Sequence, residues 1–271
     1  VVVKDGSTTL TETTDYTIAY TDNTNVGTAT ITITGAGNYT GTKTQTFAIA
    51  AKAASTLTID PIANQTYTGS AITPGVVVKD GSTTLTETTD YTIAYTDNTN
   101  VGTATITITG AGNYSGTKTQ TFAIAAKAAS TLTIDAIANQ TYTGSALTPA
   151  VVVKDGNTTL TLGADYTVAY LANKNAGTAT VKITGFGNFT GEASVNFEIL
   201  KKTVTITAEN KQRNFGEPNP TLTIKYDGLV PGEQKISTEP IISTAAKSDS
   251  QPGDYSITLT GGSDPNYTIV L

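Results

Sequence analysis

An internal repeat of 75 residues limits what this chain can fold into more than any other feature of its sequence. Val1 aligns with Val76 and Val76 with Val151, so the same unit begins again at each position. Residues 1–75 and 76–150 differ at four positions, all of them mild exchanges: Thr40/Ser115, Pro61/Ala136, Ile72/Leu147 and Gly75/Ala150. A period of this length predicts a tandem array of small modules and not one large domain.

The repeat continues into a third copy and then stops. Residues 151–200 keep DYTVAY, NAGTATVKITG and GNFTG in register, whereas the chain after Lys201 follows another pattern. The alanine-rich stretch IAAKAAS recurs at 49–55 and 124–130 without glycine or proline, which suits a short connector. Cutting at the connectors predicts a truncated β module at 1–52, a complete one at 55–127, a diverged one at 130–200 and a different β domain at 201–271.

Alternation of polar and apolar residues predicts strands in every copy. Residues 1–75 contain 21 threonines, and threonine between valine, isoleucine or tyrosine is typical of a half-buried strand. In the complete module the pattern predicts about seven short strands separated by turns. We place them at 56–59, 65–67, 72–79, 83–85, 91–95, 103–109 and 117–124.

The fold class that follows is all-β, a tandem array of small immunoglobulin-like β-sandwich modules in an elongated rod. A β-grasp-like module, with one small helix on a sheet, is the alternative. Within the strand at 103–109, we expect Ala104, Ile106 and Ile108 to point into the core and the intervening threonines to point outward.

Composition argues against several kinds of site. The chain has no Cys and no His, which removes disulfides, thiolate nucleophiles and the commonest general base and metal ligand. The net charge of −6 without a basic block disfavours nucleic acid and anionic membranes as partners. No stretch reaches the roughly 18 apolar residues of a membrane span. We therefore expect no enzyme, and no catalytic, cofactor-binding or metal-binding residues.

Two loop patterns have some features of ligand sites, but a structural interpretation fits each better. GAGNYTG at 35–41 recurs as GAGNYSG at 110–116 and GFGNFTG at 185–191, yet a strand follows it, not the helix that a phosphate loop needs. TDNTN at 21–25 and 96–100 begins like a calcium loop but lacks the closing glutamate, and the third copy reads LANKN. We predict a glycine corner and an asparagine-rich hairpin loop.

The acidic residues of each copy fall mostly in predicted turns of a module too small to enclose a sugar-cleaving groove. We interpret them as solvated turn residues: Asp80, Glu87, Asp90, Asp97 and Asp135. Spacing alone leaves open an intramolecular isopeptide bond between a lysine and an asparagine.

Four tyrosines recur in the complete module and raise the question of sugar stacking. Tyr91 and Tyr95 lie two residues before and after Ile93, on the same face of the predicted strand, so we predict them in the core. Tyr67 and Tyr114 lie beside turns and are candidates for exposure. Without any tryptophan, they make a weak binding platform.

Two parts of the sequence resemble known families. The segment YTGSAITPGVVVKDGSTTLTETTDYTIAYTDNTNVGTATITITGAGNY at 67–114 resembles immunoglobulin-like repeats of long surface proteins of gut Bacteroidetes and Firmicutes. The C-terminal part resembles the MBG (YDG-type) domain of large bacterial adhesins, through ITAENKQRNFGEPNPTLTIKYDGLVPGE at 206–233, SQPGDYSITLTG at 250–261 and PNYTIVL at 265–271. Both resemblances imply secreted, repeated β domains, and neither implies a catalytic site.

The functional expectation is a non-catalytic stalk or spacer of a bacterial cell-surface adhesin, extracellular and monomeric. Its partners would be the neighbouring modules of the same chain. The alternative is a module that binds a host glycan or matrix protein, most readily through residues 201–271. That segment alone carries an arginine, Arg213, and proline-rich loops.

Overall fold

The computed structural model describes every residue from Val1 to Leu271, and the chain is all-β, as predicted. Its only helices are single 3₁₀ turns at Ala54–Thr56 and Ala129–Thr131, and neither could cross a membrane. The β-grasp alternative is wrong, because no α-helix is present to cover a sheet. Threonine and β-branched residues favour extended backbone, which is why so much of this sequence forms strands.

The first module has a small hairpin and one antiparallel sheet of order β3-β4-β5. Only Tyr16 and Ala29 are buried in it, and Phe47 is 40% exposed, whereas its counterpart Phe122 in the next repeat is 3% exposed. The hairpin of residues 4–9 is the counterpart of two strands of a three-stranded sheet in the next repeat, so this face is covered less completely in residues 1–52. The strands are β1 (Lys4–Asp5), β2 (Thr8–Thr9), β3 (Tyr16–Thr21), β4 (Gly27–Gly35) and β5 (Thr42–Ile49), followed by β6 (Lys52–Ala53) in the connector.

The second module is a sandwich of two sheets with one core between them. Its strands are β7 (Thr58–Ile59), β8 (Gln65–Thr66), β9 (Val78–Asp80), β10 (Thr83–Thr84), β11 (Tyr91–Thr96), β12 (Gly102–Gly110), β13 (Tyr114–Ser115) and β14 (Thr117–Ala125). A three-stranded sheet of order β10-β9-β7 faces a four-stranded sheet of order β11-β12-β14-β8, and both contribute to one buried hydrophobic cluster.

The predicted orientation of β12 is confirmed. Ala104, Ile106 and Ile108 are each 0% exposed, and the threonines between and beside them are exposed or half-buried. Because successive side chains on a strand point to opposite faces, this local pattern decides which face meets the other sheet.

One predicted strand is much shorter than expected. We predicted residues 72–79, but β9 covers only Val78–Asp80. Proline at position 74 has no backbone N–H to donate to a sheet ladder. The segment is held instead by single contacts: the Ile72 N–H donates to the Asn98 carbonyl at 2.8 Å, and the Tyr95 hydroxyl donates to the Pro74 carbonyl at 2.6 Å.

The third module repeats this arrangement, with sheets of order β16-β18-β19 and β17-β23-β21-β20. Its divergence from the second module therefore changes side chains without changing the topology. The strands are β15 (Lys127–Ala128, in the connector), β16 (Thr133–Ile134), β17 (Gln140–Thr141), β18 (Val153–Asp155), β19 (Thr158–Thr159), β20 (Tyr166–Leu171), β21 (Gly177–Gly185), β22 (Phe189–Thr190) and β23 (Glu192–Leu200).

The C-terminal domain has a different topology, with a sheet of order β25-β24-β28 and a separate antiparallel pair β26-β27. Val204 and Ile206 on the central strand are both 0% exposed. The strands are β24 (Lys202–Ala208), β25 (Ile224–Asp227), β26 (Ile241–Thr244), β27 (Ile257–Thr260) and β28 (Tyr267–Val270).

The chain divides into two compact units, Val1–Ala125 and Ala126–Leu271. The first contains the truncated and the complete repeat, and the second contains the diverged repeat and the C-terminal domain. The finer module boundaries inside each unit stay predictions.

The sandwiches and the C-terminal domain share one feature of strand pairing. An early strand of each lies parallel to its last strand: β8 with β14, β17 with β23, and β24 with β28. In each of these three domains, a strand from the first part of the chain is therefore hydrogen-bonded to the last strand.

Candidate functional site

The glycine segment at 110–116 forms a tight corner, as predicted. A Cβ on Gly110 would lie 2.7 Å from the Ser115 nitrogen, and Gly112, at φ +58°, would bring a Cβ within 2.8 Å of the Thr89 carbonyl oxygen. Strands β13 and β14 follow, so no helix N-terminus meets the loop. The glycines are needed for close backbone packing, and this geometry offers no phosphate cradle.

The asparagine-rich loop at 96–100 is hydrogen-bonded to the irregular segment that precedes β9. The Asn98 side-chain amide donates to the Ile72 carbonyl at 3.0 Å, and Asn173 makes the equivalent bond to Leu147 at 2.8 Å in the third module. No group of three or more Asp, Glu, His or Cys side chains is arranged to hold a metal ion anywhere in the chain. The candidate calcium loop thus gains no support from its geometry.

The acidic side chains bind lysines and turn amides. Asp80 contacts the Lys52 ammonium at 2.5 Å, and this bond holds the pKa of the Asp80 carboxyl below its usual value. Asp90 accepts from the Thr86 N–H at 2.8 Å, and Asp135 pairs with Lys154 at 2.6 Å. Asp80 is the half-buried last residue of β9, so its predicted place in a solvated turn is wrong. The contacts of these acids are separate from one another and do not form a pair across a groove.

In the second module, two lysine ammonium groups bind oxygen acceptors that are not asparagine side chains. Lys79 pairs with Asp60 at 2.6 Å, and Lys118 donates to the carbonyls of Ser55 and Leu57. These contacts give no support to an isopeptide bond between lysine and asparagine.

Tyr91 is 4% exposed, which confirms its predicted place in the core, and Tyr95 packs against the same cluster. The suggestion that Tyr67 and Tyr114 are exposed is wrong, since both are half-buried and pack against this cluster. The Tyr114 hydroxyl donates to Asp80 at 3.2 Å. The alternation of residues along a strand could not predict this burial, because the residues that cover Tyr67 and Tyr114 lie far away along the chain.

The connector between the first two modules is bound into the second one. Strand β6 runs parallel to β13, with Lys52 opposite Tyr114, and the Lys52 N–H donates to the Asn113 carbonyl at 2.9 Å. The Asn113 side chain reaches back to the first module. Its Oδ1 accepts from the Val26 N–H at 2.8 Å, and its Nδ2 donates to Asn25 Oδ1 at 3.0 Å.

The junction between the third module and the C-terminal domain repeats these bonds with different residues. The Lys202 N–H donates to the Asn266 carbonyl at 3.0 Å. Asn266 Oδ1 accepts from the Ala176 N–H at 2.9 Å, and its Nδ2 donates to Asn175 Oδ1 at 3.4 Å. At both of these junctions, one asparagine of the following module therefore satisfies a loop amide and a loop side chain of the preceding module.

The connector into the third module shows the same backbone pairing. Strand β15 runs parallel to β22, with Lys127 opposite Phe189, and the Lys127 N–H donates to the Asn188 carbonyl at 3.0 Å. The Lys127 ammonium pairs with Asp155 at 2.5 Å, as Lys52 does with Asp80.

A glutamate of the C-terminal domain, Glu233, joins it to the third module. The Tyr142 hydroxyl donates to Glu233 Oε1 at 2.7 Å, and the Tyr267 hydroxyl donates to Glu233 Oε2 at 2.6 Å. The two tyrosine rings meet edge to face with centroids 5.5 Å apart. The hydrogen bond to Glu233 raises the pKa of Tyr142 to about 12, and burial together with Glu233 raises the pKa of Tyr267 to about 12.

Backbone packing at this junction is equally close. A Cβ on Gly144, which has φ +81°, would lie 2.8 Å from a methyl group of Val230. Buried side chains of the third module and the C-terminal domain form one continuous hydrophobic cluster. This glycine leaves room for the valine of the next domain.

Apart from the junctions, the C-terminal domain has one further candidate site. It is an open cleft of about 840 Å³ between the segments around 210–222 and 244–257. Phe215 and Tyr255 line it and are 62% and 42% exposed. Its single carboxylate is Asp254. The cleft therefore offers two accessible aromatic rings among amide and hydroxyl groups, but no pair of acids.

Arg213 positions the walls of this cleft. Its guanidinium donates to Asn219 Oδ1 at 2.8 Å and to the carbonyls of Asn214, Lys247 and Ser248. Those bonds join the two loops, so the chain's one arginine is already engaged within the domain.

Sequence reasoning did not single out Asn113, Asn266 or Glu233. A signal for the two asparagines exists, because asparagine followed by an aromatic residue and then Ser or Thr recurs at 38–40, 113–115, 188–190 and 266–268. No comparable signal marks Glu233, whose partner Tyr142 lies 91 positions away.

Comparison with known proteins identifies only part of the chain. No curated protein matches it. Among solved structures, a protocadherin gammaB7 EC3–6 cis-dimer is 10% identical with a TM-score of 0.20, covering 90% of this chain and 83% of that one, a likeness too low to support any argument. The model of the MBG domain (YGX type) matches residues 204–271, where the sequence resemblance pointed to the YDG type. The C-terminal part of this chain, residues 204–271, is thus an MBG domain of the YGX type.

Proposed function

We propose that the chain is a non-catalytic spacer of a bacterial cell-surface adhesin, built to stay folded when it is pulled at its ends. The MBG domain at 204–271 suggests a surface adhesin-type protein and is typical of extracellular surface proteins. Near-identical repeats support a part whose copy number can change without loss of a unique site.

The observation that carries the proposal is the parallel pairing of an early strand with the last strand in the two sandwiches and in the C-terminal domain. In the second module, Gln65 pairs with Ile124 and Thr66 with Ala125. Tension along the chain pulls these two parallel strands in opposite directions, so that it loads their hydrogen bonds together in shear. The C-terminal domain has a longer version of the same pairing, from Lys202–Tyr267 to Thr205–Val270.

Pulling a single molecule from two directions tests this proposal. The chain contains no cysteine, so introduced cysteines provide unique handles. Handles at Asn64→Cys and Ala125→Cys would load β8 and β14 in shear, whereas handles at Thr68→Cys and Ala125→Cys would peel β8 away from one end. We expect a clearly higher unfolding force in the first geometry, since forced unfolding follows the barrier along the pulling direction. Equal forces in the two geometries would refute the mechanical role.

Glycan binding by the C-terminal cleft is the second candidate function. Exposed Phe215 and Tyr255 give the cleft two ring faces beside polar groups, an arrangement that suits the alternating C–H and hydroxyl surface of a sugar. Host glycan is therefore our proposed ligand class for this site.

Glycan-array binding of the full chain tests the second function. Phe215→Ala and Tyr255→Ala should each remove the signal, whereas Phe186→Ala, a 57% exposed ring outside the cleft, should leave it unchanged. Binding that survives both cleft substitutions, or binding only to matrix protein without glycan, would count against this site.

A further inference from the structure

The C-terminal domain binds a small, definable surface of the third module. This docking face consists of Tyr142, Gly144, the side chain of Asn175 and the N–H of Ala176. Each component has a specific partner, since Tyr142 binds Glu233, Gly144 makes room for Val230, and the last two bind Asn266.

The part of this face formed by Asn175 and Ala176 has a counterpart in the first unit, where the following module is a β repeat and not an MBG domain. There, Asn25 and the N–H of Val26 bind Asn113 of a β repeat. Asn113 and Asn266 lie in domains of different topology, yet both are followed by tyrosine, and both accept a connector N–H through their own carbonyl. The shared requirement is an asparagine–aromatic pair beside the connector, and the rest of the following module is free to vary.

The second repeat carries the same face in its sequence. Tyr67, Gly69 and Asn100 stand one period before Tyr142, Gly144 and Asn175, and the only change is Val101 in place of Ala176. That position contributes a backbone N–H, which alanine and valine supply equally.

We propose that this docking face is transferable: each repeat can seat either another repeat or an MBG domain, provided that the incoming module presents an asparagine–aromatic pair beside the connector. The partner it fits is thus defined by a short motif and not by a fold. This inference concerns assembly of the modules and does not depend on whether the array bears tension or binds glycan.

Deleting residues 126–200, which is one full period, provides the test because it joins Ala125 to Lys201 in the original register. In the shortened chain the MBG domain follows the second repeat. Amide hydrogen exchange at Val101 then reports whether Asn266 has docked, and exchange at Ala176 in the full chain provides the reference. A hydrogen bond of about 1 kcal/mol corresponds to roughly 5-fold slower exchange. We expect Asn266→Ala to speed exchange by at least about this factor at both sites.

Asn210→Ala, an exposed asparagine of the same domain, is the matched control and should change neither rate. An unchanged rate at Val101 upon Asn266→Ala in the folded, shortened chain would overturn the proposal. If the shortened chain does not fold, Ala176→Val in the full chain asks the same question, because it gives the third repeat the second repeat's residue. Loss of the Asn266-dependent protection at position 176 in that variant would equally overturn it.

Discussion

Glu233 shows how much one side chain can decide at a junction. It accepts hydrogen bonds from two tyrosines that are 4% and 3% exposed, so both phenols are held in the neutral form in which they can donate. Ionising either one would place a second negative charge against the carboxylate. The contact between the third module and the MBG domain is therefore sensitive to alkaline pH.

The raised pKa values of Tyr142 and Tyr267, both about 12, predict a specific loss of stability. A tyrosine in the unfolded chain ionises near pH 10. Since the folded-state pKa is higher, the contribution to stability is complete below about pH 10 and is lost as pH rises towards 12. We expect the unfolding free energy of residues 126–271 to fall over this range.

Denaturant unfolding at several pH values, combined with ultraviolet absorbance of phenolate, measures this loss. The double variant Tyr142→Phe and Tyr267→Phe should show a shallower alkaline slope. Tyr226, whose pKa burial and Glu239 raise to about 12, contributes equally to both proteins. Identical slopes in the variant and the parent would contradict the assignment.

Ile106 is the clearest core residue of the second module, at 0% exposure on the central part of β12. Ile106→Ala should lower the free energy of unfolding by about 2–5 kcal/mol. Ile106→Asp should unfold the module, because it buries an unpaired charge. Thermal unfolding followed by circular dichroism measures both. Thr103→Asp, on the exposed face of the same strand, should leave the transition nearly unchanged. A retained transition in Ile106→Asp would show that the inside face has been misassigned.

At the scale of elements, glycine corners connect the long strands, and their two kinds of glycine can be told apart. Gly112 has φ +58° and a Cβ there would meet the Thr89 carbonyl at 2.8 Å, whereas Gly116 has φ +80° with open space around it. Gly116→Ala should lower the free energy of unfolding by only about 1–2 kcal/mol, because alanine is strained in the left-handed backbone conformation. Gly112→Ala should lower the free energy of unfolding clearly more, because its Cβ would also clash with the Thr89 carbonyl. Equal melting temperatures for the two variants would contradict the close packing of the corner.

The asparagine-rich loop gives a second prediction at this scale. The Asn98 amide is committed to the Ile72 carbonyl, and Asn25 of the first copy binds Asn113. Calcium at millimolar concentration should therefore leave the thermal transition where it is, since only a ligand that binds the folded state raises it. A clear upward shift would restore the calcium site.

At the scale of the whole molecule, each of the two units has its own buried clusters. Those of the second unit are built from residues between Leu132 and Ile269. A fragment of residues 126–271 should therefore fold alone and keep the alkaline titration of Tyr142 and Tyr267. Loss of a cooperative transition in this fragment would contradict the division at Ala125 and Ala126.

Much of the fold follows from the sequence because strand patterns are local. The 75-residue period determines the number of copies, and the alternation around Ile106 determines which face is buried. Both features depend only on residues that are close neighbours along the chain, since side chains on a strand alternate with a period of two. The residues that resemble an MBG domain were likewise readable without a structure.

Only the tertiary structure decided the junctions. Asn113 and Asn25 are 88 positions apart, and Glu233 and Tyr142 are 91 positions apart, so no local pattern brings them together. The same reason explains the burial of Tyr67 and Tyr114 and the irregular path of residues 72–77, which depends on Asn98 and Tyr95. Hydrogen bonds of this kind depend on how finished modules pack, and that packing exists only once the strands have formed.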